Sequence, residues 1–300
     1  MKPITLFGAP TDVGASIRGA SMGPEALRVA DIAGALIRNG LDVRDIGNLN
    51  GPGNPWQPPV DGMRHLEEVL AWNRQIFDTA YAALTAGHMS LLMGGDHCLA
   101  IGSVSAAARH CREQGKRLMV LWLDAHADAN TGSTSPTGNI HGMPVACLCG
   151  DGPAPLTALS GVTPAMSPQQ IRQIGIRSVD AEEKLRLREL GLTVYDMRYI
   201  DENGMRQTME RALAGIDADT HLHVSFDVDF LDSQIAPGVG TPVRGGPTYR
   251  EAHLALEMIE DTGALCSLDV LELNPARDVH NQTAELVVEL IESLFGKSTL

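Results

Sequence analysis

Cysteine is scarce and unpatterned in this chain. The five present, Cys98, Cys111, Cys147, Cys149 and Cys266, are odd in number and contain no CxxC pair. That excludes a disulfide-stapled scaffold and a thiolate zinc module, and leaves reduced thiols in a cytosolic protein. Long apolar runs are also missing. The longest, such as 118–123, are strand-length, so no transmembrane helix is expected and no membrane partner. The opening MKPITLFGAP lacks the apolar core of a secretion signal, and a cytoplasmic location follows. Basic residues are outnumbered, 23 Lys and Arg against 37 Asp and Glu, for a net charge of -14. Nucleic acid is therefore excluded as a partner, because phosphate binding needs basic patches. A cationic substrate would be attracted, although solubility alone also accounts for the charge. The glycine-rich stretch 238–246 carries no GK[ST], so no phosphate loop is implied, and no G-x-S-x-G elbow occurs.

What is there reads as an ordinary folded chain. Its 300 residues are 44% hydrophobic and 20% charged, the composition of a globular protein with ample core. Short Val-, Leu- and Ile-rich segments at 4–7, 41–46, 90–93, 118–123, 171–176, 192–196, 222–226 and 264–271 read as strands, several buried on both faces. Helix-period segments lie between them at 24–38, 62–86, 99–114, 180–190, 204–213, 249–261 and 283–295. Such alternation predicts an α/β fold, a mainly parallel sheet of about eight strands covered on both faces. Segments 50–59 and 150–168 read as surface loops rather than boundaries, which makes residues 1–300 one domain.

Four polar clusters fall where strand candidates end: Gly94-Gly95-Asp96-His97, Asp124-Ala125-His126-Ala127-Asp128, Asp227-Val228-Asp229 and Glu272. In a parallel sheet, sites form outside the carboxyl ends of the strands. Asp124, His126 and Asp128 alternate with alanines, and on an extended chain they would project to one side, as would Asp227 and Asp229. A lone Asp-x-His means nothing, but carboxylates and imidazoles gathered in one crevice repel unless cations lie between them. Four carboxylates and two imidazoles form a hard, oxygen-rich set suited to Mn²⁺. Six ligands are too many for one ion and about right for two sharing a hydroxide.

These residues, GGDH at 94–97, DAHAD at 124–128, HGMP at 141–144 and SFDVD at 225–229, resemble the signatures of the ureohydrolases, the family of arginases, agmatinases and related guanidine or formimine hydrolases. The resemblance spans the chain, from Gly8-Ala9-Pro10 through Arg18-Gly19 and Gly23-Pro24 to Glu272-Leu273-Asn274-Pro275. It implies a three-layer α/β/α sandwich and two Mn²⁺ ions. His97, Asp124, Asp128 and Asp227 would hold one ion, and Asp124, His126, Asp227 and Asp229 the other, with Asp124 and Asp227 bridging. Asp128-Ala129-Asn130 followed by Thr137-Gly138-Asn139-Ile140-His141-Gly142 looks like the arginase branch. There Asn130 and Thr137, the latter replacing a Ser, would bind the substrate α-carboxylate. Asp180 and Glu183 would meet its α-amino group, and Thr241 would line the guanidinium pocket. The implied reaction cuts the guanidinium of L-arginine to L-ornithine and urea. His141, Glu272 and Asp128 are the candidate catalytic residues. Glu272 would take a bidentate hydrogen bond from the guanidinium, and His141 would shuttle protons. Cys98, Ser233 and the run Ala276-Arg277-Asp278 depart from the family pattern and bear on loop geometry. Other expectations are a substrate such as agmatine, guanidinobutyrate or a formimino compound, a non-catalytic arginine sensor, or a mononuclear zinc amidohydrolase. Relatives assemble as homotrimers or homohexamers.

Overall fold

The computed structural model describes residues 2–297. Among these residues, eight strands form one all-parallel sheet: β1 (Ile4–Ala9), β2 (Val43–Asn48), β3 (Met89–Gly94), β4 (Arg117–Leu123), β5 (Ile171–Ile176), β6 (Thr193–Asp196), β7 (Thr220–Asp227) and β8 (Leu265–Leu271). Their order is β2-β1-β3-β8-β7-β4-β5-β6. All eight strand segments read from the sequence are present, shifted at their ends by a residue or two. Most are apolar throughout because both faces are covered. In β1, Ile4 and Leu6 enter one core while Phe7 and Ala9 enter the other. In β4, Leu121 and Leu123 oppose Val120 and Trp122. The period of two thus divides strands such as β1 and β4 between two hydrophobic cores.

The first core is closed by α1 (Gly23–Val29), α2 (Ile32–Arg38), α8 (Met197–Ala212), α9 (Tyr249–Glu260) and α10 (Gln282–Leu294). The second is closed by α3 (Leu66–Thr85), α4 (Ala100–Gln114), α5 (Pro144–Leu148) and α6 (Ala154–Thr157). Helix α7 (Ala181–Leu190) follows β5. In α3, Val69, Trp72, Asn73, Ile76, Phe77, Ala80, Ala83 and Leu84 make the buried stripe. No helix of the described residues is long and apolar enough to cross a membrane.

Three helix readings change. The segment 24–38 is two helices, broken at Asp31, which turns left-handed with φ 62°. The segment proposed from 62 begins at Leu66, because Gly62 and His65 both have positive φ. The segment proposed from 204 starts at Met197 and kinks at Gly204, where φ is 80°. The stretch 150–168, read as surface loop, contains α6 and buries Leu156 and Met166 in the second core.

Register aligns the strand ends. Met93 pairs with Val270, Val270 with Phe226, and Phe226 with Leu123, so one row crosses β3, β8, β7 and β4. Strands β3 and β4, consecutive in the chain, flank β8 and β7. The crevice above this row is the topological switch point where α/β sheets place their sites.

Candidate active site

Each of the four central strands delivers a polar cluster just past that row. After β3, Asp96 caps a 3-10 turn (His97–Leu99) by accepting from Cys98 N, and this presents the His97 ring. After β4 come Asp124, His126 and Asp128. After β7 come Asp227 and Asp229, and after β8 Glu272. The extended-chain geometry read from the alternation is not how they converge. Asp227 ends its strand, but Asp229 lies in a 3-10 turn (Val228–Phe230) and its N–H is bonded to Asp227 Oδ1 at 2.7 Å. Likewise His126 N donates to Asp124 Oδ1 at 2.6 Å, and Asp128 is left-handed with φ 52°. Turns that the carboxylates themselves cap bring the side chains inward.

Two groups of potential ligand atoms result, His97–Asp124–Asp227 and Asp124–His126–Asp229, sharing Asp124. His97 Nδ1 lies 3.0 Å from Asp124 Oδ2, 3.1 Å from Asp128 Oδ2 and 3.0 Å from Asp227 Oδ2. Yet neither His97 Nδ1 nor Asp128 Oδ2 makes a hydrogen bond, and both are buried. Donor atoms converging without bonding one another is the arrangement expected around a cation, since buried polar atoms are otherwise satisfied. His126 Nδ1 is 3.0 Å from Asp229 Oδ2. The ring nitrogen opposite the cluster is also held: His97 Nε2 bonds Ser225 Oγ at 2.9 Å, which orients the imidazole. The residues therefore fit a pair of cations.

Electrostatics agree. Burial opposes charge on His126, but the carboxylates of Asp229 and Asp124 outweigh it and raise the imidazole to about 12. Burial, then the charge of Asp124, raises Asp128 to about 6. Burial and the neighbouring Asp229 and Asp124 push Asp227 well above the usual carboxylate range. A cluster that must borrow protons to coexist is one that divalent charge would relieve.

A cavity of about 190 Å³ opens above the cluster. His97, His126, Asp128 and Asp227 line it together with His141, Glu272, Thr241, Asn130, Thr137, Asp180 and Glu183. Glu272 Oε1 accepts from His97 N and pairs with His141 Nδ1, each at 2.8 Å. This changes the bidentate role read from the sequence, because only Oε2 is left for a ligand. Burial works against a charged His141, yet the Glu272 carboxylate raises it to about 9. Thr241 Oγ1 donates to Asp229 Oδ2 at 3.1 Å. At the outer end, Asp180 caps α7 through Glu183 N and accepts from Asn130 Nδ2 at 2.8 Å. Glu183 accepts from Ala129 N, and burial lifts it to about 7. Thr137 is exposed at the rim. Ser135, Asn139 and Ser178 also line the cavity and escaped sequence reasoning. The hydroxyl pair Ser135-Pro136-Thr137 was the available signal. His221 and His223 lie inside β7, buried and bonded to Ser267, as packing residues.

An all-parallel α/β/α fold with a buried carboxylate–imidazole cluster that could hold two cations, beneath a polar cavity, places the chain with the metal-dependent α/β hydrolases. Comparison with known proteins is specific. The Arginase family pattern matches residues 2–296. The chain is 41% identical to the arginase of Bacillus caldovelox, covering all of both chains. It superposes on that enzyme's native structure with a TM-score of 0.94 at 40% identity, again over the whole of both. An Entamoeba histolytica arginase in complex with L-ornithine matches with a TM-score of 0.89 at 27% identity, covering 99% of each chain. The chain belongs to the Arginase family.

Proposed function

We propose that this chain hydrolyses the guanidinium group of L-arginine to L-ornithine and urea, using two Mn²⁺ ions held by His97, Asp124, His126, Asp128, Asp227 and Asp229. The observation that carries the reading is a single cavity with the carboxylate–imidazole cluster at its floor and Asn130, Thr137, Asp180 and Glu183 at its rim. A guanidinium at one end and an amino-acid head group at the other match those two ends. The Entamoeba histolytica arginase solved in complex with L-ornithine, the expected product, supports this reading. Agmatine, lacking the α-carboxylate, would leave Asn130 and Thr137 without a partner, and a pure sensor would not need the full ligand set.

Bound cations would supply the Lewis acidity that makes water nucleophilic at neutral pH. The chain's own residues do the rest. Asp180 and Glu183 bind the α-ammonium, and Asn130 with the Thr137 hydroxyl binds the carboxylate, which fixes the substrate's register. Thr241 and the free Oε2 of Glu272 face the guanidinium. Water adds to its carbon, the bond from that carbon to the δ-nitrogen breaks, and both protons given up by the water end on the δ-nitrogen, which leaves as an ammonium beside neutral urea. His141, held at Nδ1 by Glu272, whose carboxylate favours the charged imidazole, relays one of these protons from Nε2 and is recharged from the same water-derived pair.

We read residues 1–300 as one catalytic domain, and the assembly as a homotrimer or homohexamer. The cysteines are free thiols, in keeping with a cytoplasmic location. The decisive assay loads the purified protein with Mn²⁺ and offers arginine, agmatine, guanidinobutyrate and formiminoglutamate. Urea from arginine at the highest kcat/KM is expected. A preference for agmatine, or no urea from any of them, ends this reading.

A further inference from the structure

Residues 57–65 form a short strap over the outer wall of the cavity. Val60 and Met63 bond each other's backbone, N–H to carbonyl, at 2.9 and 3.0 Å. The strap's ends are drawn together by His65, whose Nε2 accepts from Gln57 N at 2.9 Å while Nδ1 donates to Val13 O at 2.8 Å. Arg64 Nη1 adds a bond to Gln57 O at 3.0 Å.

This strap is pressed against the segment that carries Ser135 and Thr137. Arg64 N donates to Gly138 O at 2.8 Å. Gly62 has φ +74°, and a Cβ there would stand 1.8 Å from the carbonyl oxygen of Gly132. Gly138 has φ +69°, and a Cβ there would meet the Pro59 ring at 2.7 Å and Gly62 O at 3.0 Å. At Gly62 backbone meets backbone, and at Gly138 it meets a proline ring and a carbonyl oxygen, so no flexible side chain can give way and the contact is rigid. Glycines at both ends of 132–138 are thus held by one external element. Within the segment, Ser135 Oγ accepts from Gly138 N at 3.0 Å and Thr137 Oγ1 from Asn139 N at 3.2 Å. The hydroxyls therefore move with the backbone that the strap holds.

We propose that the strap is a specificity-determining buttress. It sets how far the hydroxyls of Ser135 and Thr137 reach the substrate carboxylate, and so selects α-amino acid guanidines over their decarboxylated counterparts. The inference rests on the reading of Asn130 and Thr137 as the carboxylate end. Gly62 and Arg64 touch no substrate: Gly62 acts at its contact with Gly132, and the Arg64 side chain acts by closing the strap on Gln57 O, so they are positioning residues. Their loss weakens binding of the carboxylate end and leaves the guanidinium end alone.

The test uses Gly62→Ala and Arg64→Ala in the Mn²⁺-loaded full chain. Both should raise KM for arginine and Ki for ornithine, about tenfold for Gly62→Ala and severalfold for Arg64→Ala, with kcat within about twofold. The Ki of agmatine as a competitor should not move, because it lacks the carboxylate. Metal content and melting temperature are recorded alongside. If Gly62→Ala does not fold, His65→Ala, which removes the side-chain ties that draw the strap's ends together, carries the test with Arg64→Ala and the same expected rise in KM. Unchanged KM for arginine in a folded, metal-replete variant overturns the buttress, as does a parallel rise in agmatine Ki. A wild-type protein that makes no urea from arginine overturns the functional reading and the buttress together. A wild type active on arginine whose variants keep their selectivity overturns the buttress alone.

Discussion

Two proposed site residues hold backbone conformations that L side chains rarely adopt: Asp128 with φ 52° and Glu272 with φ 65°. Each costs on the order of 1 kcal/mol, and surrounding structure must enforce it. For Glu272 the enforcement is visible, since its N–H donates to Gly95 O at 2.7 Å and its carboxylate grips His97 N and His141. His141 therefore depends on Glu272 for both orientation and charge. Replacing His141 with Asn removes the proposed proton donor while keeping a polar group. We expect kcat to fall roughly 10²- to 10⁴-fold with KM for arginine changed little, read by steady-state urea release. Asp180→Asn is a cleaner probe than truncation, because Asn still caps α7. It removes the charge proposed to meet the α-ammonium and the acceptor for Asn130 Nδ2. Losing a charge-assisted hydrogen bond of about 1.5–3 kcal/mol raises KM for arginine by roughly tenfold or more, and agmatine serves as the comparison. An unchanged KM would make Asp180 a cap and nothing more. A binding role for Asp180 is what the resemblance of Ile176-Arg177-Ser178-Val179-Asp180 to the arginase pattern implies. Its bond to Asn130, fifty residues away, was not legible there.

At the level of elements, local chemistry explains starts and stops. Helix α9 begins with a capping box in which Thr248 Oγ1 accepts from Glu251 N and Glu251 Oε2 accepts from Thr248 N at 2.8 Å. Its buried residues pack in the first core, and none of them lines the cavity. Thr248→Ala should lower unfolding stability by about 1 kcal/mol in a urea titration and leave arginine turnover untouched. A drop in kcat at full folding would show that α9 is coupled to the site. Elements that the periodicity misplaced share one cause. Asp31, His65 and Gly204 interrupt apolar patterns that continue on either side, and a pattern of side chains does not register a backbone φ. The turn that brings Asp229 inward was hidden for a related reason. Asp-x-Asp reads as pleated alternation, but an Asp side chain that bonds the backbone two residues on folds the chain instead.

Across the whole molecule, the cluster couples fold, metal and pH. In the metal-free chain, His97 and His126 hold protons because carboxylates surround them, with His126 raised to about 12 from 6.5. A raised imidazole value contributes stability that is fully present below pH 6.5 and is lost only as pH climbs through the raised value. Cations must therefore displace protons at neutral pH. Loading with Mn²⁺ should release protons, and apparent affinity should rise with pH between 6 and 9, measured by calorimetry in buffers of different ionisation enthalpy. Loading without proton release would contradict the cluster's electrostatics. Strand positions, helix faces and the identity of the polar clusters at strand ends were all written in the sequence, because periodicity and turn chemistry belong to contiguous residues. Only the tertiary structure decided that β3, β8, β7 and β4 lie side by side, that Glu272 spends one oxygen on His97 and His141, and that 57–65 braces 132–138. Those juxtapositions join residues tens to hundreds of positions apart. They are selected by burying two cores and satisfying backbone groups at once, a global condition that no local stretch of chain encodes.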